Sequence, residues 1–327
     1  MTLAEPAIQV EHLVKVYGER SSNPVRALEG ISLTVRRGEI YGLLGQNGAG
    51  KTTLLRILTT LTQPTSGTAR LLGLDVARQG YEVRKQICAV LQENAVEIFL
   101  SVEDNLDTYG RFHSLPRAEI GRRANRVIAQ FGLEDHRRQK VIDLSGGLKR
   151  RVQVAKVFMV DKPVVFLDEA TTGMDPINKR ATLDAIREQA RQGRTIFLTT
   201  HMLDEAEELC DTIAIIDHGR CVAIGDPEKI KSLGSRVVEI RITYASLAPD
   251  PLGPLQRFAL HRLELKNATI ELAVDANEVS PFEVLNVLGT LGPVINLEVT
   301  GGSLEDAFIE LLGKGSGPGP APWRDRS

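Results

Sequence analysis

The sequence lacks any window approaching 18 uncharged apolar residues, so nothing in it reads as a helix that spans a bilayer. It lacks paired cysteines. Cys88, Cys210 and Cys221 stand far apart with no CxxC between them, which excludes a disulfide framework and suits reduced thiols in a cytosolic protein. It lacks a surplus of either charge: 40 Lys and Arg stand against 42 Asp and Glu, a net of −2. A dedicated binder of the nucleic-acid backbone should carry a basic surplus, so that class is disfavoured. The opening MTLAEPAIQV lacks a basic start followed by an apolar run, so no signal peptide is expected. If the protein works on a membrane, another chain must supply the membrane part. What is present is ordinary for a globular chain: 327 residues, 42% hydrophobic and 25% charged, a length that corresponds to about two domains with ample core.

Alternating apolar residues in AIQVEHLVKVYG and ISLTVRRG predict strands near the start. EIYGLLG at 39–45 is a compact apolar run ending in glycine, and a helical pattern follows from about Lys51 to Leu61. Strand, glycine-rich turn and helix open an α/β unit. From about 93 to 160 the pattern is mostly helical. Apolar runs then return in VVFLDE (164–169), TIFLTTH (195–201) and TIAIID (212–217), as expected of parallel strands covered on both faces. A composition break near Gly225-Asp226-Pro227 precedes a small α+β region over 226–312. Its strands are expected at 237–244, 258–265 and 268–275, and its helices in PFEVLNVLGTL and SLEDAFIELL. Residues 313–327 are rich in Gly and Pro, contain the single tryptophan Trp323, and read as a disordered tail.

Gly45-Gln46-Asn47-Gly48-Ala49-Gly50-Lys51-Thr52 fits the phosphate-binding loop GxxxxGK[ST]. Glycines let the backbone curl so that successive N–H groups face phosphate oxygens, and the following helix adds its positive end. Lys51 would reach the β- and γ-phosphates, and the Thr52 hydroxyl would ligate Mg²⁺. VVFLDE delivers Asp168 and Glu169 to a strand end, where α/β sheets place ligand-binding groups. Asp168 suits Mg²⁺, directly or through water, and Glu169 suits orienting or deprotonating an attacking water. Two acids ending a strand can equally be a surface feature, but the loop at 45–52 favours the site. Leu144-Ser145-Gly146-Gly147 precedes KRRVQVAKVF. It reads either as a plain serine-capped helix start or as a second anion site at a helix N-terminus. Lys149, Arg150 and Arg151 read as a solvated face.

The order of these motifs over about residues 5–225 resembles the ATPase subunit of an ATP-binding cassette (ABC) transporter. The resemblance implies a P-loop NTPase fold of ABC type: a RecA-like α/β core, an antiparallel β subdomain and an α-helical subdomain at about 93–160. Together these make a 1–225 ATPase domain ahead of the small C-terminal domain. It implies ATP and Mg²⁺ as ligands, with Thr53 beside the loop residues at the nucleotide. Tyr17 matches the aromatic that stacks on adenine. Gln92 matches the glutamine loop that touches Mg²⁺ and water and senses the membrane partner. Asp175, in TTGMDP, matches the loop that crosses to the other subunit, and His201 matches the histidine that contacts the γ-phosphate.

Two positions depart from the family pattern. Leu148 stands where the signature normally continues with Gln, removing a polar contact, and Ala170 replaces a usual Pro, removing a backbone constraint. The C-terminal part, ending GGSLEDAFIELLG, resembles the extension on ATPases of prokaryotic drug-resistance-type exporters, including daunorubicin-exporter subunits. The resemblance further implies a homodimer in which Lys51, Asp168, Glu169 and His201 of one copy face Ser145 and Gly147 of the other. It also implies a separately encoded integral membrane permease, placing the chain on the cytoplasmic face of the membrane. Two alternatives use the same loop: a soluble ABC-type ATPase acting on nucleic acid or ribosomes, and a small-molecule kinase. The charge balance, the single cassette and the lack of a long coiled-coil insertion disfavour the first. The LSGG helix start and His201 disfavour the second.

Overall fold

Strand and helix alternate through the first two-thirds of the chain, and short antiparallel strands fill the rest. The computed structural model describes residues 5–19, 23–91, 96–233, 237–301 and 303–313. Two units divide at Pro227/Glu228. The first begins with β1 (Ile8–Tyr17), β2 (Val25–Val35), β3 (Ile40–Leu44), α1 (Lys51–Leu58), β4 (Ser66–Leu71), β5 (Leu74–Asp75), α2 (Gly80–Gln86) and β6 (Ile87–Val90). It continues through α3 (Val102–Phe112), α4 (Arg117–Gln130), α5 (Gly146–Val157), β7 (Val164–Asp168), α6 (Pro176–Arg191), β8 (Thr195–Thr200), α7 (Leu203–Leu209), β9 (Thr212–Asp217) and β10 (Arg220–Gly225).

A four-stranded antiparallel sheet runs β2-β1-β4-β5, and a six-stranded sheet runs β10-β9-β3-β8-β7-β6. In the second sheet only the edge pair β9–β10 is antiparallel. Every residue of β3, β7 and β8 is buried, which is why these strands read as unbroken apolar runs instead of alternating ones. In-register pairs Tyr41↔Phe197 and Phe166↔Phe197 bring three rings together, with centroids 5.6 Å and 5.7 Å apart. They lie in one continuous core with Leu54, Leu55 and Leu58 of α1, so the helix after the loop is anchored to the strands beneath it. That helix stops at Leu58, short of the expected Leu61, because Thr60 turns into the left-handed region at φ 64°.

α3, α5 and α6 start on side-chain caps, Ser101, Ser145 and Asp175, each accepting a backbone N–H of the first turn. The expectation that 149–151 form a solvated face fails for the arginines. Arg151 is 4% exposed and donates to the carbonyls of Phe131 and Gly132 at 3.2 and 3.4 Å, joining α5 to the end of α4. Arg150 is half-buried and engaged in its own contacts, described below. Only Nη1 of Arg151 finds carbonyl partners; its Nε and Nη2 are buried with none among the described residues.

Beyond α8 (Pro227–Leu233), the second unit holds β11 (Val237–Tyr244), β12 (Leu260–Lys266), β13 (Thr269–Asp275), α9 (Pro281–Leu288), β14 (Val294–Thr300) and α10 (Leu304–Gly313). Its antiparallel sheet runs β12-β13-β11-β14. Ile240, Ile242 and Tyr244 of β11 pack with Leu272, Val284 and Leu288 in a separate core, and the buried Tyr244 hydroxyl donates to the Leu288 carbonyl at 2.9 Å. β14, at the sheet edge, is exposed along its whole length.

Candidate functional site

Strand register gathers the chemistry at one edge. Leu44 pairs with Thr200 and Asp168 with Thr199 in the parallel sheet. The loop after β3, the Asp168–Glu169 pair after β7 and His201 after β8 therefore share the carboxyl-terminal edge, the position at which α/β sheets bind ligands.

In the loop, Gly48 and Gly50 take φ values of 85° and 108°. At Gly50 a Cβ would also stand 2.6 Å from the Ala27 carbonyl, so both conformation and space demand glycine. Gln46, Asn47 and Gly48 are exposed, Ala49 and Gly45 are buried, and Thr52 and Thr53 are partly covered in the first turn of α1. Lys51 is 6% exposed, and its ammonium donates to the carbonyls of Gly45 and Gln46 at 2.7 and 3.1 Å. These two bonds fix the ammonium across its own loop and leave a third N–H. Burial lowers its pKa, and the nearby charges of Glu169 and Asp168 act in the opposite sense.

Asp168 is buried at 2% exposure. Its Oδ1 accepts a hydrogen bond from the Thr199 hydroxyl, while Oδ2 has no hydrogen-bond partner among the described residues. Burial raises its pKa, an effect the Thr199 bond offsets in part. A buried anionic oxygen without a donor, at the same sheet edge as the Thr52 hydroxyl, fits a hard cation. Among the described residues no cluster of three or more His, Cys, Asp or Glu is built to hold a metal. That donor set suits Mg²⁺, which is usually held by one or two carboxylates and the substrate's phosphates, not by an all-protein cage.

Glu169 adopts φ 50°, a left-handed conformation that costs a non-glycine residue about 1–2 kcal/mol. Its amide donates to the Thr199 carbonyl at 3.0 Å, and its Oε1 lies 3.2 Å from Nδ1 of His201. Glu169 is 16% and His201 49% exposed, so this pair opens toward solvent while Asp168 does not. Behind it the carboxylate of Glu205, 2% exposed, accepts the hydroxyls of Thr171 and Thr200 at 2.9 and 2.8 Å. Burial raises its pKa. Those threonines lie two residues after Glu169 and one before His201, so Glu205 ties both loops to α7.

The Ser145–Gly147 turn and Asp175 form a second cluster. Ser145 Oγ accepts from the Leu148 amide at 3.3 Å, so the serine caps its own helix. Asp175 caps α6 through the Asn178 amide at 3.0 Å, and that bond is the largest influence lowering its pKa. Gly147 abuts the loop that leads to Asp175, since a Cβ there would sit 3.1 Å from Met174 Cα. Ser145, Gly146 and Asp175 are exposed. Tyr17, at the end of β1, is exposed with the Lys15 ammonium 5.0 Å from its ring centre. Gln92 lies outside the described residues.

Two residues escaped the sequence reading: Glu205 and Arg150. Arg150 shares a helix face with Gln153, Val154 and Val157, all buried, and that 3–4–7 spacing marks it as inward-facing. Glu205 lies on the short helix after His201, and its signal is the hydroxyls of Thr200, five residues before it, and of the distant Thr171.

A family model described as ABC transporter matches residues 28–172. The chain is 42% identical over 237 residues to the daunorubicin/doxorubicin resistance ATP-binding protein DrrA of Streptomyces peucetius, covering 72% of this chain and 70% of the relative. It is 34% identical over 318 residues to the Nod factor export ATP-binding protein I of Paraburkholderia xenovorans, covering 95% and 99%. Among solved structures, cbiO1 from Clostridium perfringens, described as part of the ABC transporter complex cbiONQ, superposes with a TM-score of 0.63 at 28% identity over 70% of this chain and 91% of that one. Neither relative nor structure is named for action on nucleic acid or ribosomes, and that alternative is not favoured. The chain belongs to the ABC transporter family as an ATP-binding, ATP-hydrolysing subunit related to the exporters of drugs and Nod factors.

Proposed function

We propose that this subunit binds MgATP in the loop from Gly45 to Thr53, hydrolyses it with Glu169 and His201, and so drives export of amphipathic compounds through a separate permease. The observation that carries this reading is the shared strand edge, where the loop, the buried Asp168 and the Glu169–His201 pair stand side by side.

The curled loop and the start of α1 aim backbone N–H groups at the β- and γ-phosphates, and Lys51 adds a charge already fixed by its two carbonyl bonds. The Thr52 hydroxyl and Asp168 would hold the magnesium, and the family resemblance adds Gln92 to them; when bound, the ion would neutralise charge on the phosphate oxygens. Glu169 takes a proton from water as the water oxygen attacks the γ-phosphorus. The bond to the β–γ bridging oxygen breaks and ADP departs with the electron pair. His201 holds the γ-phosphate from its half-exposed position. Tyr17 stacks on the adenine.

Ser145, Gly146 and Gly147, exposed or next to an exposed loop, present helix-end N–H groups to the ATP of a second copy, with Asp175 at the crossing. ATP then joins two subunits and its cleavage releases them. For the permease, the exposed Ile98, Phe99 and Ile142 form an apolar patch held together by the Ile142 amide donating to the Ile98 carbonyl at 2.7 Å. The buried Asn105 anchors the same segment through the amide and carbonyl of Glu97 at 2.8 and 2.9 Å. Among the described residues no helix is long and apolar enough to cross a membrane, in keeping with a subunit on the cytoplasmic face that works through a partner.

The test is Glu169→Gln. Its kcat is expected to fall by about 10²–10⁴-fold while the Kd for ATP holds, and gel filtration with MgATP should show a persistent dimer. Turnover at the parent rate removes Glu169 from the role of base. A monomer in saturating MgATP removes the paired arrangement.

A further inference from the structure

All five guanidinium N–H groups of Arg150 are engaged, and four of the five contacts go to backbone carbonyls beside the hydrolytic residues. Nη1 donates to the Leu91 carbonyl at 3.2 Å and to Gln153 Oε1 at 2.7 Å. Nε and Nη2 donate to the Glu169 carbonyl at 3.3 and 3.1 Å, and Nη2 also donates to the carbonyl of Asp168. Three chain segments thus meet on one side chain: the residue just before Gln92, the acidic pair, and the helix that Ser145 caps.

The planar fork matters here. Adjacent carbonyls at 168 and 169 belong to the two peptide planes that flank the Glu169 Cα, so gripping both fixes the direction in which its carboxylate leaves the backbone. Glu169 sits at a positive φ, which an unrestrained glutamate would leave. The Thr199 carbonyl holds only its amide side. A lysine supplies charge without the fork and cannot span the same carbonyls.

We propose that Arg150 is a positioning residue for hydrolysis: it clamps the Asp168–Glu169 backbone in the reactive conformation and links it to the Ser145 helix and the start of the glutamine loop. This rests on the assignment of Glu169 as the base. Arg150 has no part in holding nucleotide, so its loss should fall on kcat alone.

The experiment compares Arg150→Met, Arg150→Lys, Glu169→Gln and the double variant Arg150→Met/Glu169→Gln. Steady-state ATPase rates, the Kd of a fluorescent ATP analogue and the melting temperature are read for each. Arg150→Met is expected to lower kcat at least tenfold with Kd within twofold, and Arg150→Lys to recover part of the loss. The double variant should be no slower than Glu169→Gln, because one residue acts through the other. Losses that multiply in the double variant, or a parent-like kcat in Arg150→Met, overturn the clamp. So does a rise in Kd and a fall in melting temperature in step with the fall in kcat in both Arg150 variants, which marks a general packing role. Glu169→Gln at the parent rate sinks the assignment of the base, whereas a slow Glu169→Gln beside a normal Arg150→Met sinks the clamp alone.

Discussion

Asp168 shows how a side chain kept for ligand binding weighs on the fold that carries it. Its carboxylate is desolvated, one oxygen has no donor among the described residues, and its pKa is raised. A raised carboxyl pKa favours the fold at acid pH, below the unfolded value, and that contribution is lost as pH rises through the folded value. At neutral pH the parent therefore bears the full burden of a buried charge. Asp168→Asn removes the charge and keeps an oxygen for the Thr199 hydroxyl. Without nucleotide it should melt roughly 2–4 °C above the parent at pH 7, with the gap closing as pH falls into the carboxylate range, while MgATP hydrolysis is lost. A variant that melts below the parent at pH 7 would count against this view of the site. At this scale the sequence was informative wherever spacing encodes chemistry. Gly45–Thr52, Asp168 and Glu169 were legible because each ends or follows an apolar strand, whereas His201, a lone histidine after a strand, was read only through the family resemblance. Arg150 and Arg151 were not, because a basic triplet reads as solvated until the carbonyls it meets are known.

Among the elements, β3 leaves no room for a side chain at one of its positions. Gly42 faces Cys210 across from α7, and a Cβ at 42 would stand 2.6 Å from the Cys210 sulfur. Gly42→Ala is expected to destabilise by about 1–3 kcal/mol through overpacking, read as a lower denaturation midpoint at unchanged slope. Adding Cys210→Ala, which deletes the sulfur, should restore most of the loss; no recovery would show that the clash lies elsewhere. The parallel strands were recognisable from their unbroken apolar runs, because burial on both faces erases alternation. Their order was not, since β3 pairs with β8 and β9, far along the chain, and composition carries no trace of that partnership. Nor did periodicity foretell the end of α1, where Thr60 leaves the helical region and overrides a still-favourable pattern.

For the whole molecule, two cores formed by different stretches of chain imply two cooperative melts. Calorimetry with MgADP at 100 times its Kd should raise one of them by the equivalent of about 2.7 kcal/mol and leave the other in place; a single transition that shifts entire would refute this. The thiols give a companion signal. Burial pushes Cys88 up to about 12 and Cys221 up to about 11, so reaction with a thiol reagent at neutral pH reports the opening of the nucleotide-binding unit. The last strand has a different consequence. Ile295, Leu297 and Val299 are 67%, 47% and 48% exposed, and Glu298 is the one charge in VINLEVT. Such a rim has an open ladder of amides and little to repel a neighbour. Kept at high concentration, the isolated protein should clot from this margin first, well before its catalytic half loses shape.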